Sequence, residues 1–232
     1  MKKILIKSQL FYFFYKILKI LKNSRKKTHL GEFGEDIFVR RFFKKFSKGF
    51  YVDVGAYHPI KGSLTYDLYK NNWKGINIDL SKISIDLFKI SRPKDINLRT
   101  AITDFDGKTF FYENSPINQQ NSLIENSNAE KIEIDCYKLN TILENYKIQK
   151  VDYLNIDTEG NDFKVISTFD FKKYKPSLVS IEYNNYNFEN LMDSDINILM
   201  EKNDFKFVSK FGVTCFYVHK KNIEKIDGFM KV

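Results

Sequence analysis

Four short apolar runs, each carrying a carboxylate at or near its end, constrain this chain more than any other feature. Gly49-Phe-Tyr-Val-Asp-Val-Gly55 reads as a buried strand running into a turn, with Asp53 near its end. Gly75-Ile-Asn-Ile-Asp79, Val151-Asp-Tyr-Leu-Asn-Ile-Asp157 and Leu178 to Tyr183 repeat the form, and bring Asp79, Asp157 and Glu182 to strand ends. Helical patterns separate them: Leu64 to Asn71 with Ser63 as its N-cap, Ile83 to Ile90 stopped before Pro93, Asn161 to Phe169, and Phe188 to Glu201. Ile96 to Ile102 reads as a third strand, and Phe205 to Ser209 with Val213 to His219 as a closing hairpin. Strands separated by helices predict an α/β fold with a mostly parallel sheet, helices on both faces and an antiparallel edge. Ligands of such sheets bind beyond the carboxyl ends of the strands, which singles out Asp53, Asp79, Ala101, Asp157 and Glu182. Thr109 to Glu113 and Lys131 to Cys136 alternate as further strands. Between them, Asn114 to Asn128 is rich in Asn, Gln and Ser and reads as a long loop of the kind often tied to function.

Charge divides the chain in two. Nine cations, Lys2, Lys3, Lys7, Lys16, Lys19, Lys22, Arg25, Lys26 and Lys27, precede the first acid, Glu32, and account for the whole net charge of +9. We therefore expect a basic amphipathic segment over residues 1–30 and a near-neutral folded domain over 31–232. A neutral body lacks the basic face that nucleic acid demands, so no nucleic-acid partner is expected. The longest uncharged run in the basic segment, Ser8 to Tyr15, falls short of the roughly 20 residues of a membrane span, and no small-residue cleavage site follows it. Phe11, Phe13, Phe14, Leu18 and Leu21 could place residues 1–27 on an anionic membrane surface, or could pack on the domain or a partner. Cys136 and Cys215 have neither CxxC spacing nor a nearby His; two buried free thiols in a cytoplasmic protein are expected.

The chemistry concentrates in two stretches. In Asp53-Val-Gly-Ala-Tyr-His-Pro59 a Gly directly after a strand lets the backbone turn and approach a ligand. Asp79, 24 residues after Gly55, is placed to accept hydrogen bonds from ribose hydroxyls. The phosphate-cradling G-x-G-x-x-G pattern is absent, which favours adenosylmethionine, a nucleoside without phosphate, over NAD. His58 is either a general base or a clamp on the loop backbone. In Asp152-Tyr-Leu-Asn-Ile-Asp-Thr-Glu-Gly160, Asp157 and Glu159 flank a strand mouth; a helix-start role favoured by the dipole is the alternative for Glu159.

These motifs, with Gly31-Glu-Phe-Gly-Glu-Asp36, Ser63-Leu-Thr65, Asn72-Trp-Lys-Gly75, Arg92-Pro-Lys-Asp-Ile-Asn-Leu98, Ala101-Ile102 and Pro176-Ser-Leu-Val-Ser-Ile-Glu182, resemble the FkbM-type methyltransferases from Gly31 to Val218. The resemblance implies a Rossmann-like, seven-stranded class I methyltransferase sheet and S-adenosylmethionine as donor. It implies that Asp53, Gly55 and Ala56 wrap the methionine part, that Ser63 and Thr65 sit near its carboxylate, and that Asp79 holds the ribose. Ala101 and Ile102 would lie along the adenine, while Asp157 and Glu159 would face the sulfonium and the acceptor. The implied acceptor is a sugar hydroxyl of a cell-surface polysaccharide or related glycan, with a small natural product as the alternative. Asp157 and Glu182 are candidate Mg²⁺ ligands, the competing route to an activated hydroxyl. The chain departs from the family's pattern at Glu32, His58 and Asp79-Leu80, where the family usually has Gln, Asn or Asp, and Glu-Pro. A nucleotide-fold binding module without catalysis and a dehydrogenase are the rival readings.

Overall fold

The computed structural model describes residues 9–23, 31–113, 121–185 and 187–227. Lys2, Lys3, Lys7, Arg25, Lys26 and Lys27, together with residues 114–120 of the polar loop, lie outside the described residues.

Seven strands form the central sheet in the order β10-β11-β9-β8-β1-β2-β3. They are β1 (Phe50–Val54), β2 (Lys74–Asp79), β3 (Ile96–Arg99), β8 (Tyr153–Ile156), β9 (Leu178–Glu182), β10 (Phe205–Phe211) and β11 (Thr214–His219). β1 pairs in parallel with β2 and β8, β2 with β3, and β8 with β9, while β11 runs antiparallel to both β9 and β10. The predicted seven-stranded α/β sheet with an antiparallel last strand is what the chain forms. Strand order moves outward from β1 through β2 and β3, then returns to β8 on the other side. This reversal opens a crevice between the ends of β1 and β8.

Apolar residues alternate to two cores, one on each face. Val52, Val54, Ile76, Ile78, Leu154 and Ile156 pack on one face with Leu139 and Leu143 of α5 (Leu139–Asn145) and Val165 of α6 (Asp162–Ser167). Tyr51, Tyr153 and Leu178 pack on the other with Phe42 of α2 (Glu35–Phe42), Leu68 of α3 (Tyr66–Lys70) and Trp73. One register level on this second face is polar instead: Asn97, Asn77, Asp53, Asn155 and Ser180 stand opposite one another on β3, β2, β1, β8 and β9. Asn77 donates to Asn97 at 2.8 Å, Asn155 to Asp53 at 2.8 Å, and Ser180 to Asn155 at 2.5 Å.

Several boundaries correct the expectations. Ile96 to Ile102 is not one strand. After Arg99 the Thr100 hydroxyl donates to the Asp135 carbonyl at 2.6 Å, and the chain crosses into a second sheet, β4-β7-β5-β6. That sheet contains β4 (Ala101–Ile102), β5 (Gly107–Glu113), β6 (Asn121–Ser122) and β7 (Glu130–Tyr137), so part of the long polar loop is itself a strand. Phe188 to Glu201 splits into α8 (Phe188–Met192) and α9 (Asp195–Lys202), because the Ser194 hydroxyl caps a new helix by accepting from Asn197 N. Ser63 caps nothing: α3 begins at Tyr66, and Ser63 serves the site below. α4 (Lys82–Ser91) does end just before Pro93, with Ser81 as its N-cap. The remaining helices are α1 (Gln9–Asn23), α7 (Phe171–Tyr174) and α10 (Glu224–Asp227). Among the described residues no helix is long and apolar enough to cross a membrane, and Cys136 and Cys215 are free and buried.

Candidate active site

The crevice holds a cavity of about 380 Å³, within the range of small-molecule sites. Its first wall is the turn after β1. Gly55 has φ +79, and a Cβ there would meet the Asp157 carbonyl oxygen at 1.6 Å, so no other residue fits this crossing of two strand ends. The Gly55 and Ala56 amides both donate to the Ile78 carbonyl, at 2.9 and 3.0 Å, and tie the turn to β2. Asp79 ends β2 and accepts from Tyr57 N at 2.8 Å and Ser81 N at 2.6 Å. Burial pushes its carboxyl up to about 7, against the two amides that favour the charged form. Each oxygen keeps a further lone pair for a ligand.

The opposite wall is acidic. Asp157 follows β8 and is an exposed residue on the wall of the cavity. Desolvation first, and then the charges of Glu182, Asp162 and Glu159, hold its pKa well above the usual carboxylate range. Glu182 ends β9. Desolvation and the charges of Asp162 and Glu159 raise it to about 7, opposed in part by hydrogen bonds with Asn184 and Asp157. Glu182 Oε2 is buried and has no protein partner. Glu159 lies at the exposed rim with φ +54, and its carbonyl accepts from the Ser122 hydroxyl at 3.2 Å. The loop between β8 and α6 is shaped by Asp162, which accepts from Thr158 N and Gly160 N at 2.9 and 3.1 Å. Asn161 donates to the Ile102 carbonyl at 2.8 Å and joins this loop to the second sheet. Ala101 and Ile102 line the cavity between the walls, as does Asn121, whose buried amide has no partner on either atom.

The cavity collects every residue singled out from the sequence except His58 and Thr65. His58 is 1 % exposed, and its Nδ1 accepts from Ile60 N and Lys61 N, both at 3.0 Å. Burial, reinforced by Lys19, Arg92 and Lys61, pushes its pKa down to about 3. The ring is therefore the backbone clamp, not the general base, because the nitrogen that would take a proton is committed to loop amides. Thr65 stands behind Ser63 and donates to Asp53 at 2.6 Å. Desolvation raises the Asp53 pKa despite the donors Thr65 and Asn155.

Sequence reasoning missed Arg92. Its side chain is fully buried and donates to Pro59 O, Ser63 Oγ, Thr65 Oγ1, Asn77 Oδ1 and the Tyr51 hydroxyl. It locks the Pro59–Thr65 stretch of the cavity wall onto the polar row of the sheet. A buried guanidinium demands such a set of acceptors; Arg92 stands in one of the motifs that carry the resemblance, but no role is read from it there. Among the described residues no group of three or more His, Cys, Asp and Glu is arranged to hold a metal ion.

No curated protein matches the sequence. A solved TehB-like SAM-dependent methyltransferase from Corynebacterium glutamicum resembles the chain at a TM-score of 0.46 and 8 % identity, over 90 % of this chain and 97 % of that one. The model of the Methyltransferase FkbM domain matches residues 53–207, which runs from the carboxylate of β1 to the last hairpin and takes in both walls of the cavity. With about two thirds of its 232 residues inside that match, the chain belongs to the FkbM methyltransferase domain family.

Proposed function

We propose that the protein transfers the methyl group of S-adenosylmethionine to a hydroxyl of a sugar, in a cytoplasmic step that modifies a cell-surface polysaccharide or related glycan. The observation that carries this reading is the pair of acids Asp157 and Glu182 lining one cavity with the Gly55 turn and Asp79, both carboxyls raised first by burial. The residues fit the donor: a tight backbone turn at Gly55 and Ala56 lining the cavity, an acid with spare lone pairs at the end of β2, and buried polar atoms of Glu182 and Asn121 that lack protein partners. Bound S-adenosylmethionine supplies an electrophilic methyl on a cationic sulfur, and its transfer leaves a neutral thioether and releases the acceptor's proton. Asp53, Gly55 and Ala56 hold the methionine end, with Ser63 positioned by Arg92 beside it. Asp79 accepts the ribose hydroxyls, and Ala101 and Ile102 flank the base. Asp157 and Glu182 favour a cationic donor and take the hydroxyl proton; a carboxyl titrating near 7 is matched to that task at neutral pH. Glu159 at the rim orients the acceptor. No metal enters this route.

Incubation with labelled donor and fractionated cell-surface glycans, followed by mass analysis, tests the proposal. A methyl gain on a sugar oxygen is expected. Donor binding without methyl gain on any glycan or small hydroxylated acceptor would sink it. Activity abolished by EDTA and restored by Mg²⁺ would instead make Asp157 and Glu182 metal ligands.

A further inference from the structure

Helix α1 is turned against the usual rule. A helix facing water presents its polar side outward and its apolar side to the core. In α1 the half-buried side carries the polar Tyr12, Tyr15, Lys16 and Lys19. The Tyr12 hydroxyl donates to Asp86 of α4 at 2.6 Å, and the Nζ atoms of Lys16 and Lys82 lie 4.5 and 5.2 Å from the Tyr12 ring centre. Tyr15 and Lys19 come within electrostatic range of Tyr57 and Lys61 on the wall of the cavity. Phe11, Phe14 and Leu18, spaced three and four residues apart, form a stripe directed outward with 57, 54 and 65 % of their surfaces exposed; Phe13 and Leu21 are also exposed. The family match starts at Asp53, so this helix lies outside it.

We infer that this stripe is a docking surface for an anionic lipid bilayer. Charge decides between the possible occupants. The first 27 residues carry nine cations and no carboxylate, so a second copy would bring the same sign to the contact, whereas a negatively charged bilayer complements it. Phenylalanine and leucine side chains enter the acyl boundary while lysines remain at headgroup level. Because α1 lies beside the Tyr57–Gly62 stretch of the cavity wall, docking brings the site to the membrane surface. The inference does not depend on donor or acceptor, and its test uses neither.

The full chain is mixed with vesicles of phosphatidylcholine alone, or with about a third phosphatidylglycerol, at about 0.15 M salt, and floated on a density gradient. Expected are at least about tenfold more protein with the anionic vesicles and a loss of about tenfold or more in the Phe14→Ser/Leu18→Ser variant. The single Trp73 is buried, so its emission on heating reports that the variant folds. Phe11→Ser, an independent change on the same stripe, weakens flotation in the same direction. No binding to anionic vesicles overturns the inference. So does binding that survives both sets of changes, or a dimer in sedimentation that the double change dissolves while vesicles are ignored.

Discussion

Replacing Gly55 with Ala isolates the contact on which the cavity is built. The new Cβ would stand 1.6 Å from the Asp157 carbonyl oxygen, where ordinary contact begins near 3.4 Å, so the ends of β1 and β8 must part by roughly 1.5–2 Å. The Asp157 N to Val54 O hydrogen bond of 2.9 Å spans that gap and goes with it. The left-handed backbone adds about 1–2 kcal/mol, and together with the clash we expect a loss of about 3–5 kcal/mol. In a chain of this size that lowers Tm by about 6–20 °C. Gly34→Ala is the control, because Gly34 has nearly the same φ, +81, but the nearest atom to its Cβ is Ile37 Cδ1 at 3.7 Å. It should lose only the backbone share, about 1–2 kcal/mol. Differential scanning calorimetry gives both losses, and titration with S-adenosylmethionine shows donor affinity falling at least tenfold for Gly55→Ala alone. Equal losses in the two variants, or unaltered donor affinity in Gly55→Ala, would refute the role of this crossing.

Three further outcomes are expected. Burial raises the carboxyls of Asp79 and Glu182 from 3.8 and 4.5 to about 7. The folded protein thus holds protons that the unfolded chain releases. The contribution is complete below about pH 4 and is lost as pH rises through 7, on the order of 3 kcal/mol for each group. Tm of the ligand-free protein should fall from pH 5 to pH 8, less steeply in Glu182→Gln; a Tm independent of pH over that window contradicts the burial argument. In turnover, Glu182→Gln should lower kcat about 10²-fold or more and remove the acid limb near pH 7, with donor affinity little changed. Glu159→Gln, at the exposed rim, should cost less, and the reverse ranking in single-turnover rates would move the base to Glu159. Asp79→Ala should weaken donor binding at least tenfold by calorimetry and also lower Tm, since Tyr57 N and Ser81 N lose their acceptor; unchanged affinity in a folded variant removes Asp79 from the donor site.

What was legible in the sequence is what the backbone imposes locally. Asp79, Asp157 and Glu182 could be placed because an apolar run of strand length must end somewhere, and its last polar residue marks the carboxyl end of the sheet. Gly55 could be placed because a turn after such a strand needs a residue without a Cβ. What escaped depends on partners remote in sequence. Arg92 meets Pro59, Ser63 and Tyr51 from positions 29 to 41 residues away, and nothing in its own neighbourhood announces them. In the sequence His58 is open between base and backbone clamp because its loop is expected to line the cavity; the direction of Nδ1 shows that it serves that loop. The apolar pattern of 188–201 runs on through Asp193 and Ser194, and the helix breaks there because a serine cap outcompetes continuity.

The polar row across the sheet has a consequence for how the chain finds its pairing. Strands buried on both faces are apolar along most of their length, so sliding one past another costs little in hydrophobic contact, and their alignment is weakly encoded. Asn97, Asn77, Asp53, Asn155 and Ser180 act as registration marks. A slip of one residue would turn a mark into the opposite apolar core and strip its neighbours of their hydrogen bonds, an error far more costly than any methyl group misplaced. The five strands can settle only where the marks meet, and that same alignment brings the ends of β1, β2, β8 and β9 level around one cavity.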